Sequence, residues 1–299
     1  MTDPSHDTHI PRRPADLVEL PLSPQQRRWW FLCTSYRGAL SPIVSLVHRL
    51  RGPLVVDAWL RAVGALVDRH EGLRVRFVNR PDGPVQVIAP PAGLDVERID
   101  LTGLPEEVRE DRARQLLNER RQTVLDLAGS PLVTSCLIRL ADDDHVWTLT
   151  AHHILADGAA MAIADRELRT MYRACADGTE PELPDIAVPF GDYAVWQDST
   201  PASQYADDRS YWLDRLAGVP PLDLRTDRPR PAVKSAPAAE VGHPIPGELA
   251  QRVEELARSE RCTRFMALLA AFQVLLAEWS GQRDICVGLP VMGAGRARA

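Results

Sequence analysis

Two kinds of hydrophobic rhythm alternate along the chain. The segments "LRVRFV" (73–78) and "PVQVIA" (84–89) place apolar residues at every second position around "NRPDG". That two-residue period with a turn between predicts a β-hairpin. A second hairpin is predicted for "LVTSCLIRL" (132–140) and "HVWTLTA" (145–151), which flank the acidic turn "ADDD", and "VSLVHRLRG" (44–52) reads as a strand ending at a glycine. Elsewhere the period lengthens to that of a helix. In "DAWLRAVGALVDRH" (57–70) Leu60, Val63 and Val67 recur on one face, with Asp57 expected as the cap. In "LSPQQRRWWFL" (22–32) Ser23 occupies an N-cap position and Pro24 the first helical one. Further helices are expected over about 105–123 from Pro105, after the "HHILADG" segment with Ile163, Ala164, Leu168 and Met171 on one face, and at 248–258 and 264–279. The apolar "MALLAAFQVLLAEW" (266–279) reads as a buried helix, and "DICVGLPV" (284–291) as a buried strand.

Hairpins mixed with helices define an α/β fold whose sheet is not purely parallel. Proline is dense in "EPELPDIAVP" (180–189) and "VPPLDLRTDRPRP" (219–231), too dense for regular structure. The expected organisation is a flexible N-terminus (1–20), a first lobe (21–178), a proline-rich crossing (179–247) and an incomplete second lobe (248–299).

Composition narrows the classes of function. The chain has 299 residues, 45% hydrophobic and 25% charged, which suits a sizeable globular core. A formal charge of −6, with arginines interleaved among acids, argues against nucleic acid as a partner. The longest apolar segment is shorter than the ~20 residues a bilayer requires, and the polar N-terminus is not a secretory signal. Five scattered cysteines without a C-x-x-C pair predict reduced, mostly buried thiols in a cytoplasmic protein.

The chemistry concentrates in "HVWTLTAHHILADGAA" (145–160). Alternation along a strand puts Trp147, Leu149, Ala151 and His153 on one face, and Val146, Thr148, Thr150 and His152 on the other. Two imidazoles that point apart do not grip one metal, so no metal site is expected. Two readings of the residues remain open: a packed polar corner, or a base with its support. In the second, one histidine faces a cleft, a backbone N–H near Gly158 stabilises an oxyanion at the start of a helix, and Asp157 locks the loop.

Four segments, in order, carry a resemblance. "HHILADG" (152–158) resembles the HHxxxDG motif of nonribosomal peptide synthetase condensation domains, members of the chloramphenicol-acetyltransferase-like superfamily. "LSPQQRRWWFL" is similar to S-x-A-Q-x-R-L-W-x-L, with Gln25 for alanine and Trp29 for leucine. "RHEGLRVRF" (69–77) resembles R-H-E-x-L-R-T-x-F, and "FGDYAVWQ" (190–197) resembles Y-x-D-Y-A-V-W-Q. "PVMGAGRARA" is similar to a P-V-A-G-R stretch, with Ala294 at the arginine position and Arg296 two residues later.

The resemblance implies an acetyltransferase-like lobe of mixed sheet and flanking helices, followed by the start of a second similar lobe. It implies amide formation between two thioesters delivered on the phosphopantetheine arms of donor and acceptor carrier proteins, with no bound cofactor. His153 matches the active-site histidine. His152, Asp157 and Gly158 would support it, Asp157 through a buried ion pair. Arg69, His70, Glu71 and Arg74 are expected in a structural polar network, and Asp192, Tyr193 and Trp196 in packing at the lobe junction. A polypeptide completing the second lobe is an expected partner. The rival readings are a non-catalytic docking module and an acyltransferase using acyl-coenzyme A.

Overall fold

The computed structural model describes residues 10–35, 42–129, 131–229 and 241–290. It divides into two compact units, one running to Pro201 and one covering Ala202–Val291.

The first unit holds two sheets. Strands β1 (Glu19–Pro21), β3 (Val75–Arg80) and β4 (Gly83–Ile88) form an antiparallel sheet in the order β1-β4-β3, and β3–β4 is the hairpin expected around "NRPDG". Strands β2 (Ile43–Arg51), β5 (Val96–Asp100), β6 (Val133–Ala141) and β7 (Asp144–His152) form the larger sheet, in the order β2-β7-β6-β5. Its β6–β7 pair is the second expected hairpin, while β5 joins β6 in parallel.

Strand β7 lies between two neighbours and is buried on both faces. On one face Trp147, Leu149 and Ala151 meet Trp59, Val63 and Leu66 of α2 (Val56–Arg69) and Met161, Leu168 and Met171 of α4 (Gly158–Asp177). On the other, Val146 joins Ile138 and Leu140 against Ala113 and Leu116 of α3 (Glu106–Arg121). Each large apolar side chain so buried contributes about 1.5–3 kcal/mol, so this strand end is among the best-supported backbone positions of the unit. Helix α4 stops at Gly178, whose left-handed φ of 69° suits glycine and gives the last turn its αL cap.

Helix α1 (Pro24–Ser35) begins as expected after Ser23. A reciprocal capping box forms there: Gln26 N donates to Ser23 Oγ (3.2 Å) and Ser23 N to Gln26 Oε1 (2.9 Å).

Several expectations are corrected. Asp57 lies within the first turn of α2, where its charge complements the helix N-terminus, and Val55 occupies the cap position without a side-chain bond. Ile163 is exposed, because the buried stripe of α4 runs through Ala164, Leu168 and Met171. Residues 10–20 are not a flexible tail: Ile10 is buried, Arg13 is ion-paired and β1 is hydrogen-bonded to β4. The described residues of the two proline-dense segments carry no helix or strand, as expected, while helices α5 (Phe190–Ser199) and α6 (Ala206–Arg215) form between them. Of the cysteines only Cys136 is buried; Cys33, Cys175 and Cys262 are partly exposed and Cys286 exposed.

The second unit contains α6, α7 (Gly247–Ser259) and α8 (Arg264–Ser280). The apolar helix at 266–279 forms, but it is not buried: Phe265, Met266, Phe272, Val274 and Trp279 are exposed, and only Leu276 is covered. Residues 284–290 form no strand and are mostly exposed. A strand needs a neighbour to take its N–H and C=O groups, and the described residues of this unit form no strand. Among the described residues no single helix is long and apolar enough to cross a membrane; α7 and α8 reach that length only as a pair bent by 103°.

Candidate functional site

The backbone of the histidine pair is fixed from two sides. His152 N donates to Leu132 O (2.9 Å) beside β6, and His153 N donates to Pro42 O (2.7 Å) just before β2. Strand β7 ends at His152 and His153 opens the turn, so the two rings meet different partners.

His152 points inward and is 1% exposed. Its Nδ1 accepts from Ile154 N at 3.0 Å, so the ring proton sits on Nε2, directed at Sγ of Cys33 at 3.6 Å. Burial, with the neighbouring His153 a lesser cause, lowers the His152 imidazole to about 4. The Cys33 thiol is itself shifted upward by burial. Neither group is built to react; together they brace the turn after β7.

His153 is partly exposed. Its ring stacks on Trp29 of α1, with centroids 4.9 Å apart and planes inclined by 26°. Its Nδ1 is buried and has no hydrogen-bond partner among the described residues. The stacking partner is a residue that sequence reasoning did not single out for the site; its signal was the tryptophan at a position where the resembled pattern has leucine.

Asp157 is the N-cap of α4, its Oδ1 accepting from Ala160 N at 2.8 Å. The side chain is exposed and no ion pair forms with it among the described residues. The side chain thus serves as a cap, which satisfies one of the helix's first four N–H groups. Ala294 and Arg296 lie outside the described residues. Gly158 is the first residue of α4 and is exposed; a Cβ built on it meets nothing within 4 Å. The approach to that helix start is open, and its unused N–H groups favour negative charge.

Arg69 and His70 converge on Glu167 of α4: Arg69 Nε donates to Oε2 at 3.0 Å, and His70 Nε2 lies 2.7 Å from the same oxygen. Arg69 also donates to Pro184 O. Arg74 donates to the carbonyls of Val67 (3.2 Å) and Ala89, closing the turn between α2 and β3. Glu71 accepts both guanidinium nitrogens of Arg13 (2.9 and 2.8 Å) and Gly191 N (2.7 Å). Burial alone would raise the Glu71 carboxyl, but Arg13 and the Gly191 N–H outweigh it and hold it below its ordinary value. Arg13 also donates to Asp192 of α5 at 2.9 Å, and Arg12 adds a contact at 3.3 Å. A Cβ on Gly191 would fall 2.2 Å from the Arg13 guanidinium, so only glycine admits this pair. Tyr193 lies between Phe190 and Trp196 along α5 in tilted ring contacts. Glu167 and Arg13 are the network members sequence reasoning missed, since their partners lie 58 or more positions away.

No group of three or more potential metal ligands occurs among the described residues. The arrangement offers one accessible imidazole at a strand end, an open helix start after it, and a surrounding polar network already consumed by the protein. A mixed sheet with flanking helices, ending its central strand in H-H-x-x-x-D-G, defines a lobe of the chloramphenicol-acetyltransferase-like class. The model of the condensation domain matches residues 17–298, and the chain belongs to that family, the condensation domains of nonribosomal peptide synthetases.

Among curated relatives, it is 40% identical over 281 residues to a linear gramicidin synthase of Brevibacillus parabrevis, covering 93% of this chain and 5% of that one. It is 38% identical over 297 residues to phosphinothricin tripeptide synthetase PhsC of Streptomyces viridochromogenes, covering 99% and 27%. Among solved structures it is similar to the X-domain of teicoplanin biosynthesis in its complex with OxyB, with TM-score 0.76 and 28% identity over 91% of this chain and 59% of that one. The chain thus spans only a small part of the synthetases it matches.

Proposed function

We propose that this chain supplies the histidine-bearing lobe of a domain joining two carrier-bound thioesters through an amide bond. The acceptor's amine attacks the donor's thioester carbonyl, a C–N bond forms, and the C–S bond breaks as the donor arm leaves as a thiol. The proton lost from nitrogen ends on that sulfur. A free α-amine titrates near ~7.7–8.0, so making the nucleophile is not the main barrier. Preventing collapse of the ammonium–oxyanion intermediate is, and an imidazole accepting the proton or holding the amine in line meets that need. The observation that carries this reading is the contrast between the two histidines: His152 is locked inward and neutral, while His153 is partly open and, among the described residues, has no hydrogen bond to Nδ1. The helix start at Gly158 lies five residues on, where N–H groups favour a developing oxyanion. Asp157 and His152 support the turn; Arg69 and Arg74 brace the lobe beneath it.

The carriers with their phosphopantetheine arms, and a polypeptide completing the second lobe, belong to the same proposal, as does a cytoplasmic location. The test is a condensation assay with two loaded carriers. His153→Ala should fold normally and lose about 10²–10⁴-fold in turnover; unchanged turnover refutes the assignment. A second reading, a protein-docking module, is favoured by the similar X-domain having been solved bound to OxyB. Unimpaired partner capture by a wild-type protein that never condenses loaded carriers would support it.

A further inference from the structure

Catalytic imidazoles are usually oriented by a hydrogen bond to the nitrogen that does not react. Among the described residues His153 lacks one: its Nδ1 is buried and meets no partner there. Its orientation has to come from packing, and the ring contact that provides it is the stack on Trp29.

Helix α1 is well placed to act this way. Trp29 and Cys33 are four residues apart and share one helical face. Trp29 lies against His153 and Cys33 receives the Nε2 proton of His152, so one face of α1 touches both histidines. The helix is itself keyed to the sheet. Gln26, inside the capping box, exchanges hydrogen bonds with buried Gln86 of β4 (3.0 and 3.1 Å), and Gln86 Nε2 also donates to Pro21 O at 2.7 Å. A buried amide pair with its partners satisfied tolerates little rotation of the helix.

We infer that Trp29 is a positioning residue for His153: its indole covers one ring face and holds the imidazole edge toward the open side, in place of the missing hydrogen bond. This rests on His153 having the role given above. Leucine, which the resembled pattern has at this position, offers bulk but no flat face to hold a ring.

The test compares Trp29→Leu and Trp29→Phe with wild type in the native polypeptide. In histidine-labelled protein, the His153 ring resonances, identified by their loss in His153→Gln, should carry an upfield ring-current shift. That shift should disappear in Trp29→Leu and be partly kept in Trp29→Phe. Turnover of loaded carriers should fall about two- to twelve-fold in kcat for Trp29→Leu, the equivalent of the ~0.5–1.5 kcal/mol of an aromatic pair. KM for either carrier should stay within about twofold, and phenylalanine should restore part of the loss. An unmoved His153 resonance in Trp29→Leu overturns the inference, since the stack would not exist in solution. A displaced resonance with unchanged kcat overturns positioning while leaving the role of His153 standing. Wild-type turnover in His153→Gln overturns both.

Discussion

Arg13 is the cation whose loss should cost the first unit most. Its guanidinium joins Glu71, just after α2, to Asp192 of α5, through three contacts of 2.8–2.9 Å. The Glu71 and Asp192 side chains are only 16% and 4% exposed, and that of Arg13 is 22% exposed. Arg13→Ala therefore strands two carboxylates in a poorly solvated place. Arg12, 66% exposed and 3.3 Å from Asp192, is a weak substitute. Breaking a buried pair by removing one partner costs about 3–5 kcal/mol; the partial exposure of Arg13 puts the expectation near ~3 kcal/mol. For a unit of this size that corresponds to a fall of about 6–12 °C in Tm.

The pH dependence sharpens the test. With Arg13 present, the folded-state Glu71 carboxyl titrates below its unfolded value, so it adds stability above that unfolded value and loses it as pH falls through the folded one. Without Arg13, burial is opposed only by the Gly191 N–H and the Arg74 charge, so the carboxyl moves up from its wild-type position and the stabilisation it gives shrinks. The gap between wild type and variant should be widest near pH 7 and should narrow below about pH 4.5. Urea unfolding followed by tryptophan fluorescence at both pH values measures it. Arg13→Lys, which keeps the charge without the fork, should fall between the two. A variant within about 1 kcal/mol of wild type at pH 7, or a gap that widens in acid, would refute the reasoning.

Asp157→Ala should destabilise by only about 0.5–2 kcal/mol, the worth of an N-cap, with Asp157→Asn close to wild type; a loss above ~3 kcal/mol in equilibrium unfolding would restore a buried ion pair. His152 stays neutral in the folded state down to about 4 while the unfolded imidazole protonates near 6.5. Stability should therefore drop by up to ~3 kcal/mol as pH falls from 6.5 to 4, and His152→Leu should flatten that slope whatever its absolute cost. Gly191→Ala should disrupt the same site as Arg13→Ala, because its Cβ would occupy guanidinium space; a combined loss equal to the sum of the two single losses would show the sites to be independent.

What was legible in the sequence was local. The β3–β4 and β6–β7 hairpins were readable because their alternation and turn residues lie within a few positions of each other. Helix α1 was readable from Ser23 and Pro24. Strand β5 was not, because "VERID" carries little apolar signal and its pairing is a parallel one to β6, 39 residues on in the register Val96↔Ser135. That His152 and His153 would meet different partners followed from their adjacency at a strand end. Which of them would be locked did not, since it depends on the Ile154 N–H and on Cys33, 119 positions away.

The covalent order of the chain was enough to determine the two hairpins, the main helices and the family motifs, since each is a matter of period and spacing. Burial was not determined in the same way: the apolar α8 formed as its pattern required yet remained uncovered, because covering a face takes a partner that periodicity does not name. Only the tertiary structure decided that Asp157 is a cap, that Arg13 and Glu167 gather charges from distant segments, and that a tryptophan lies against the open histidine. Apart from the Asp157 cap, which reaches only to Ala160, those are meetings between residues far apart in sequence, and chain folding alone brings them within hydrogen-bonding or van der Waals reach.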